Sequence, residues 1–98
     1  MTVTLGILAR LEAKPDKAEE LGEFLKAGRD LAVAEEGTVT WYAFRIDETH
    51  YGIFDTFEDQ AGLQGHLDGE IPKALAQVGP ELLASDPEIG PVEVIAVK

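Results

Sequence analysis

Residues 37–67, GTVTWYAFRIDETHYGIFDTFEDQAGLQGHL, constrain the fold most. The spacing predicts a strand over residues 38–46 and another over 51–57. Asp47-Glu48-Thr49-His50 forms the antiparallel turn between them. On the first strand, the alternating sets Thr38, Thr40, Tyr42, Phe44, Ile46 and Val39, Trp41, Ala43, Arg45, Asp47 both contain large apolar groups. On the second, Tyr51, Ile53, Asp55 and Phe57 alternate with Gly52, Phe54 and Thr56. Successive side chains of a strand point to opposite faces, so this hairpin needs cover on both sides. Helices can supply one cover, and something else must supply the other.

The remaining pattern supplies the helices. Val3, Leu5, Ile7, Ala9 and Leu11 recur with period two, predicting a first strand with one apolar face. Lys14-Pro15-Asp16 opens a helix with proline in its first turn. Ala18, Leu21, Phe24, Leu25, Leu31 and Ala32 form its apolar stripe, and Gly37 suits a left-handed cap after it. Residues 58–67 read as a short helix weakened by Gly62 and Gly65. Ile71, Leu75, Val78 and Leu82 then repeat at helical spacing, with Gly79-Pro80 set to kink or divide that segment. Residues 91–98 alternate as a fourth strand. The order is βαββαβ with the second helix broken in two: one α+β domain over residues 1–98, with a four-stranded antiparallel sheet in the ferredoxin-like arrangement. Its helices sit on one face, leaving aromatic area on the other. Covering a few hundred Å² of that area at about 25 cal/mol per Å² is worth several kcal/mol, so a homodimer with sheets packed face to face is expected.

Charge and composition narrow the chemistry. The formal net charge of −11 repels nucleic-acid backbones and anionic membrane surfaces. With no cysteine there is no disulfide, thiolate metal site or thiol nucleophile. The N-terminus lacks a basic region ahead of its apolar residues and no apolar run is long enough for a membrane span, so a cytoplasmic location is expected. No phosphate loop, nucleophile elbow or metal-ligand spacing occurs, and no cofactor or metal is expected.

Three stretches carry a family resemblance: ARLEAKPDKAEELGEFL at the end of the first strand, EEGTVTWYAFRID, and GIFDTFEDQAGLQGHL. Together they resemble the antibiotic-biosynthesis-monooxygenase type of dimeric α+β barrel over nearly the whole chain. That resemblance implies the barrel dimer and a cofactor-independent monooxygenase acting on a quinol-like, anthrone-like or phenolic compound. It also admits a non-catalytic small-molecule-binding or stress-related protein, or an isomerase on the same scaffold. Haem-degrading relatives place an iron-ligating histidine late in the second helical region, near a tryptophan and an asparagine. Here Leu75 falls near the ligand position, His66 falls where their helical tryptophan lies, and the chain has no asparagine. Haem chemistry does not fit.

For an oxygenase of this type, His66 is the candidate proton acceptor, since an unperturbed imidazole titrates near neutrality. Trp41, Tyr42 and Phe54 are candidates for clamping an aromatic substrate, and Arg45 for stabilising its anion. Each residue also has a plainer reading. His66 lies at the edge of an apolar stripe, and Trp41 and Tyr42 lie on opposite faces of one strand. Arg45 could instead pair with Asp55 or another acid across the hairpin, and His50 in the turn reads as solvated.

Overall fold

The computed structural model describes residues 3–98. Its elements are β1 (Leu5–Glu12), α1 (Ala18–Val33), β2 (Thr38–Arg45), β3 (His50–Phe57), α2 (Gln60–Leu67), α3 (Glu70–Leu82) and β4 (Glu88–Glu93). The strands form one antiparallel sheet in the order β2-β3-β1-β4, the expected ferredoxin-like α+β arrangement. In that order β3 separates β1 from β2, and β1 separates β3 from β4. Each crossover therefore joins two parallel, non-adjacent strands through helix, and the helices gather on one face.

The alternation of β1 and β3 decides which face. Ile7, Ala9 and Leu11 on β1, and Tyr51, Ile53, Asp55 and Phe57 on β3, are buried beneath the helices. Leu21 and Leu25 of α1, Leu63 of α2, and Leu75 and Leu82 of α3 close over them. Burying each such leucine fully is worth about 1.5–3 kcal/mol. The buried Tyr51 hydroxyl donates to Ala18 O at 2.8 Å and fixes the start of α1 on the sheet. On the opposite face Leu8 and Phe54 are half-buried, whereas Tyr42, Phe44 and Ile46 are exposed.

Several boundaries differ from the sequence expectation. Pro15 lies in a turn before α1, where Lys17 N–H bonds Lys14 O at 2.9 Å, and the helix begins at Ala18. α2 and α3 separate at Asp68-Gly69, as the sequence spacing indicated, but α3 continues through Pro80 to Leu82 and is not divided there. β4 starts at Glu88 and ends at Glu93, not at 91 and 98. Its partner explains the end: Glu93 pairs with Leu5, the first residue of β1, and beyond them Val94 N–H still bonds Thr4 O at 2.8 Å. Past that point Ile95 and Val97 are exposed, and among the described residues no strand pairs with them.

Gly37 also has a different task from the one expected of it. No described glycine has a positive φ, and α1 is closed by Ala34 in right-handed geometry. Instead, a Cβ on Gly37 would lie 2.6 Å from Gly62 Cα, and a Cβ on Gly62 would lie 2.7 Å from Gly37 O. The two backbones touch, and neither position has room for a side chain. This contact seats α2 against the segment leading into β2. Gly62→Ala is expected to destabilise the fold by about 1–3 kcal/mol, the usual range for overpacking. Urea unfolding checks it, with Gly65→Ala as the control, because a Cβ at Gly65 meets nothing within 4 Å.

Candidate functional site

α2 is a short helix, capped by Asp59, whose side chain accepts a hydrogen bond from Gly62 N–H at 2.8 Å. Within it Leu63 and His66, three residues apart, share the inward face. His66 is buried at 6% exposure, with its ring 5.4 Å from that of Phe57. Both of its ring nitrogens meet carboxylates. Nδ1 lies 2.7 Å from Glu35 Oε1, and Nε2 lies 3.1 Å from Asp55 Oδ2. Asp55 comes from the middle of β3, and Glu35 from the segment between α1 and β2 that the Gly37–Gly62 contact brings to α2.

Burial by itself would lower the imidazole pKa. Hydrogen bonds from its ring N–H groups to Asp55 and Glu35, reinforced by the charges of both carboxylates, outweigh burial and raise it to about 9. At neutral pH the ring is an imidazolium donating to an acid on each side. This arrangement differs from the free histidine base expected from the sequence, because both ring nitrogens already face carboxylates. It also leaves no common point for a metal, since the two carboxylates hold opposite ends of the ring. Among the described residues, no group of three or more His, Asp or Glu side chains is placed to hold a metal ion.

Two oxygens of the cluster remain unpaired. Glu35 Oε1 also accepts from the Thr38 hydroxyl at 2.8 Å, but Glu35 Oε2 and Asp55 Oδ1 are buried without a hydrogen-bond partner. Trp41 Nε1 is likewise buried and unpartnered. Trp41 stands directly across from Asp55 in the β2–β3 register. With Ile53 it floors an apolar cavity of about 90 Å³, which Phe24, Leu25 and Leu31 of α1 and Ile71 of α3 enclose. Asp55 is thus the cross-strand neighbour of a cavity-floor residue, while its own side chain does not line the cavity.

The other expected substrate residues are divided. Tyr42 and Phe54 pair across the strands on the face away from the helices, so they do not share this cavity. Trp41, Tyr42 and Arg45 do border one groove of about 480 Å³ between α1 and β2. Residues of opposite faces meet there because β2 is an edge strand and the groove runs along its side. Arg45 is not paired with Asp55. It lies 3.7 Å from Glu19 of α1, donates to Asp47 O and Glu48 O at 3.1 and 3.0 Å, and rests 5.4 Å over the Tyr51 ring. His50 is exposed, and its bond to Asp47 raises its pKa while lowering that of the acid.

Residues 4–77 match the antibiotic biosynthesis monooxygenase family. The chain belongs to that family. Among solved structures it is similar to a protein of unknown function from Nitrosomonas europaea, 43% identical with a TM-score of 0.95, over 98% of this chain and 93% of that one. The Pseudomonas aeruginosa protein PA3566 is 24% identical with a TM-score of 0.82, over 98% of each chain. Rv0793 from Mycobacterium tuberculosis is 22% identical with a TM-score of 0.81, over 96% and 97%. The last two likenesses establish the fold alone. No curated protein matches the sequence.

The sequence reading located His66 but neither of its partners. Asp55 had a signal: it is the one charged residue in the otherwise apolar set Tyr51, Ile53, Asp55, Phe57, and a carboxylate on a core face requires a partner. Glu35 had almost none, since the contact depends on how α2 folds back. Because the His66 pKa is raised on folding, its stabilisation is full below the unfolded value near 6.5 and is lost as pH rises through about 9. This contribution is on the order of 3 kcal/mol. Urea midpoints should fall between pH 6.5 and 9 in the native protein, and the difference from His66→Gln should shrink over the same range.

Proposed function

We propose that the protein is a cofactor-independent monooxygenase of an anthrone-like, quinol-like or phenolic compound, with Asp55 as the proton acceptor. The observation that carries this reading is the buried Asp55 Oδ1, which has no hydrogen-bond partner, on a residue paired across the strands with Trp41, one of the residues lining the apolar cavity. Activation of dioxygen without a cofactor starts from a substrate carbanion or phenolate, so the protein must remove a proton in a dry place and stabilise the anion. Asp55 Oδ1 takes the proton, and the His66 imidazolium against Oδ2 compensates the negative charge now on the substrate. The total charge of the site does not change in this step. For an anthrone-like methylene, the carbanion passes electrons to dioxygen and bonds to it. Loss of water from the resulting peroxide leaves a carbonyl. One oxygen atom enters the product and the other leaves as water, with all electrons supplied by the substrate.

Trp41 offers its ring as the stacking floor and Nε1 as a hydrogen-bond donor. A substituted ring needs more than about 90 Å³, so its entry requires α1 and α3 to part at the exposed Leu31. Arg45 and the groove it borders lie along the edge strand and are assigned no step.

The open sheet face supports a second part of the reading, a homodimer with these faces packed together. Exposed Tyr42 and Phe44 and half-buried Phe54 and Leu8 form an apolar surface that a second copy would cover. Tyr42→Glu should convert the protein to a monomer in sedimentation velocity, whereas a native protein that already sediments as a monomer contradicts the dimer.

Oxygen uptake over a panel of anthrones and hydroquinones tests the chemistry. At least one compound should consume dioxygen one-to-one, and Asp55→Asn should lower kcat about 10²–10⁴-fold. Binding of such rings without any uptake would instead favour a non-catalytic binding protein.

A further inference from the structure

A single carboxylate would suffice to orient the imidazole, yet His66 has two, and the second reaches it from a separate segment. Its two nitrogens are not equivalent. Each carboxylate keeps one buried oxygen without a hydrogen-bond partner, Asp55 Oδ1 and Glu35 Oε2, but the two differ in how their bonded oxygen is held. Glu35 Oε1 is held by both His66 and the Thr38 hydroxyl. Its Oε2 is backed by Gly69, where a Cβ would lie 2.9 Å away. Glu35 is therefore built into place by Thr38 on one side and by a residue without a side chain on the other. Within 4 Å of the imidazole, these two carboxylates are the charged groups among the described residues, and Phe57 of β3 is the aromatic neighbour.

This inference rests on the proposed role of Asp55. When Asp55 takes a proton it becomes neutral, and an imidazolium with only that counter-ion would then be an uncompensated buried charge. Such a ring would release its own proton at the moment a cation is needed beside the substrate anion. We infer that Glu35 is a positioning residue whose fixed negative charge keeps His66 cationic while Asp55 is protonated. Asp55 is then the carboxylate that changes charge, and Glu35 is the one that does not. The short bond lies on the Glu35 side, at 2.7 Å against 3.1 Å for Asp55, consistent with the stronger, permanent partner.

Asp55→Asn mimics the protonated acid, and ¹⁵N NMR of the His66 ring reports its protonation without any substrate. In Asp55→Asn the titration midpoint should drop yet stay above pH 7, with both ring nitrogens still protonated at neutral pH. In Glu35→Gln/Asp55→Asn the midpoint should fall below pH 7, and one ring proton should be lost. A neutral ring at pH 7 in Asp55→Asn overturns the inference, as does an imidazolium that persists in the double variant. Should the double variant fail to fold, the single variant still decides: a cationic ring supports the inference and a neutral one rejects it. Absence of oxygen uptake with every compound would remove the oxygenase reading while leaving the NMR result intact, so the two failures are distinct.

Discussion

One imidazole held between two carboxylates ties this structure together. His66 comes from α2, Asp55 from β3 and Glu35 from the segment between α1 and β2, so a single ring joins three parts of the chain that are distant in sequence. Each component would be costly alone: a buried histidine cation, a carboxylate on a core strand and another beneath a helix. Assembled, the one cation is shared by the two carboxylates, which leaves the cluster with a single net negative charge. Truncating one member strands the others in a low-dielectric interior, which is more damaging than the pairwise contacts suggest.

The fold supplies this assembly through two short-range devices. The first is the backbone contact of Gly37 with Gly62, one turn before His66 and two residues after Glu35, which sets the distance between them. The second is the sheet order, which puts β3 in the interior of the sheet with β2 at its edge, so that Asp55 is buried and Trp41 stands opposite it. The cavity follows from the same geometry, because the Trp41 and Ile53 floor lies beneath helices that leave it a small apolar space. Chemistry and packing are therefore not separable here: the residues that would accept the proton are also those that hold α2 down.

Much of the architecture was legible from period-two and helical spacing, and the hairpin over residues 38–57 was the clearest element. Helix and strand ends were less legible because they depend on partners. β4 stops where β1 runs out, and α3 runs through Pro80 where a kink or division was expected. The site was legible only in part. His66 stood out as a rare residue near an apolar stripe, but its charge state depends on groups 31 and 11 residues away in the chain. Tyr42 and Phe54 drew attention as aromatics, yet both sets of each strand contain large apolar groups, so periodicity alone could not assign a face. Arg45 was read across the hairpin when its acid partner lies on α1.

The central claim is that His66 is a buried cation at neutral pH. Neutron diffraction from crystals of the deuterium-exchanged protein near pH 7.5 observes it directly. The account predicts deuterium on both Nδ1 and Nε2, directed at Glu35 Oε1 and Asp55 Oδ2. A ring carrying deuterium on one nitrogen alone, with the proton residing on either carboxylate, would contradict it.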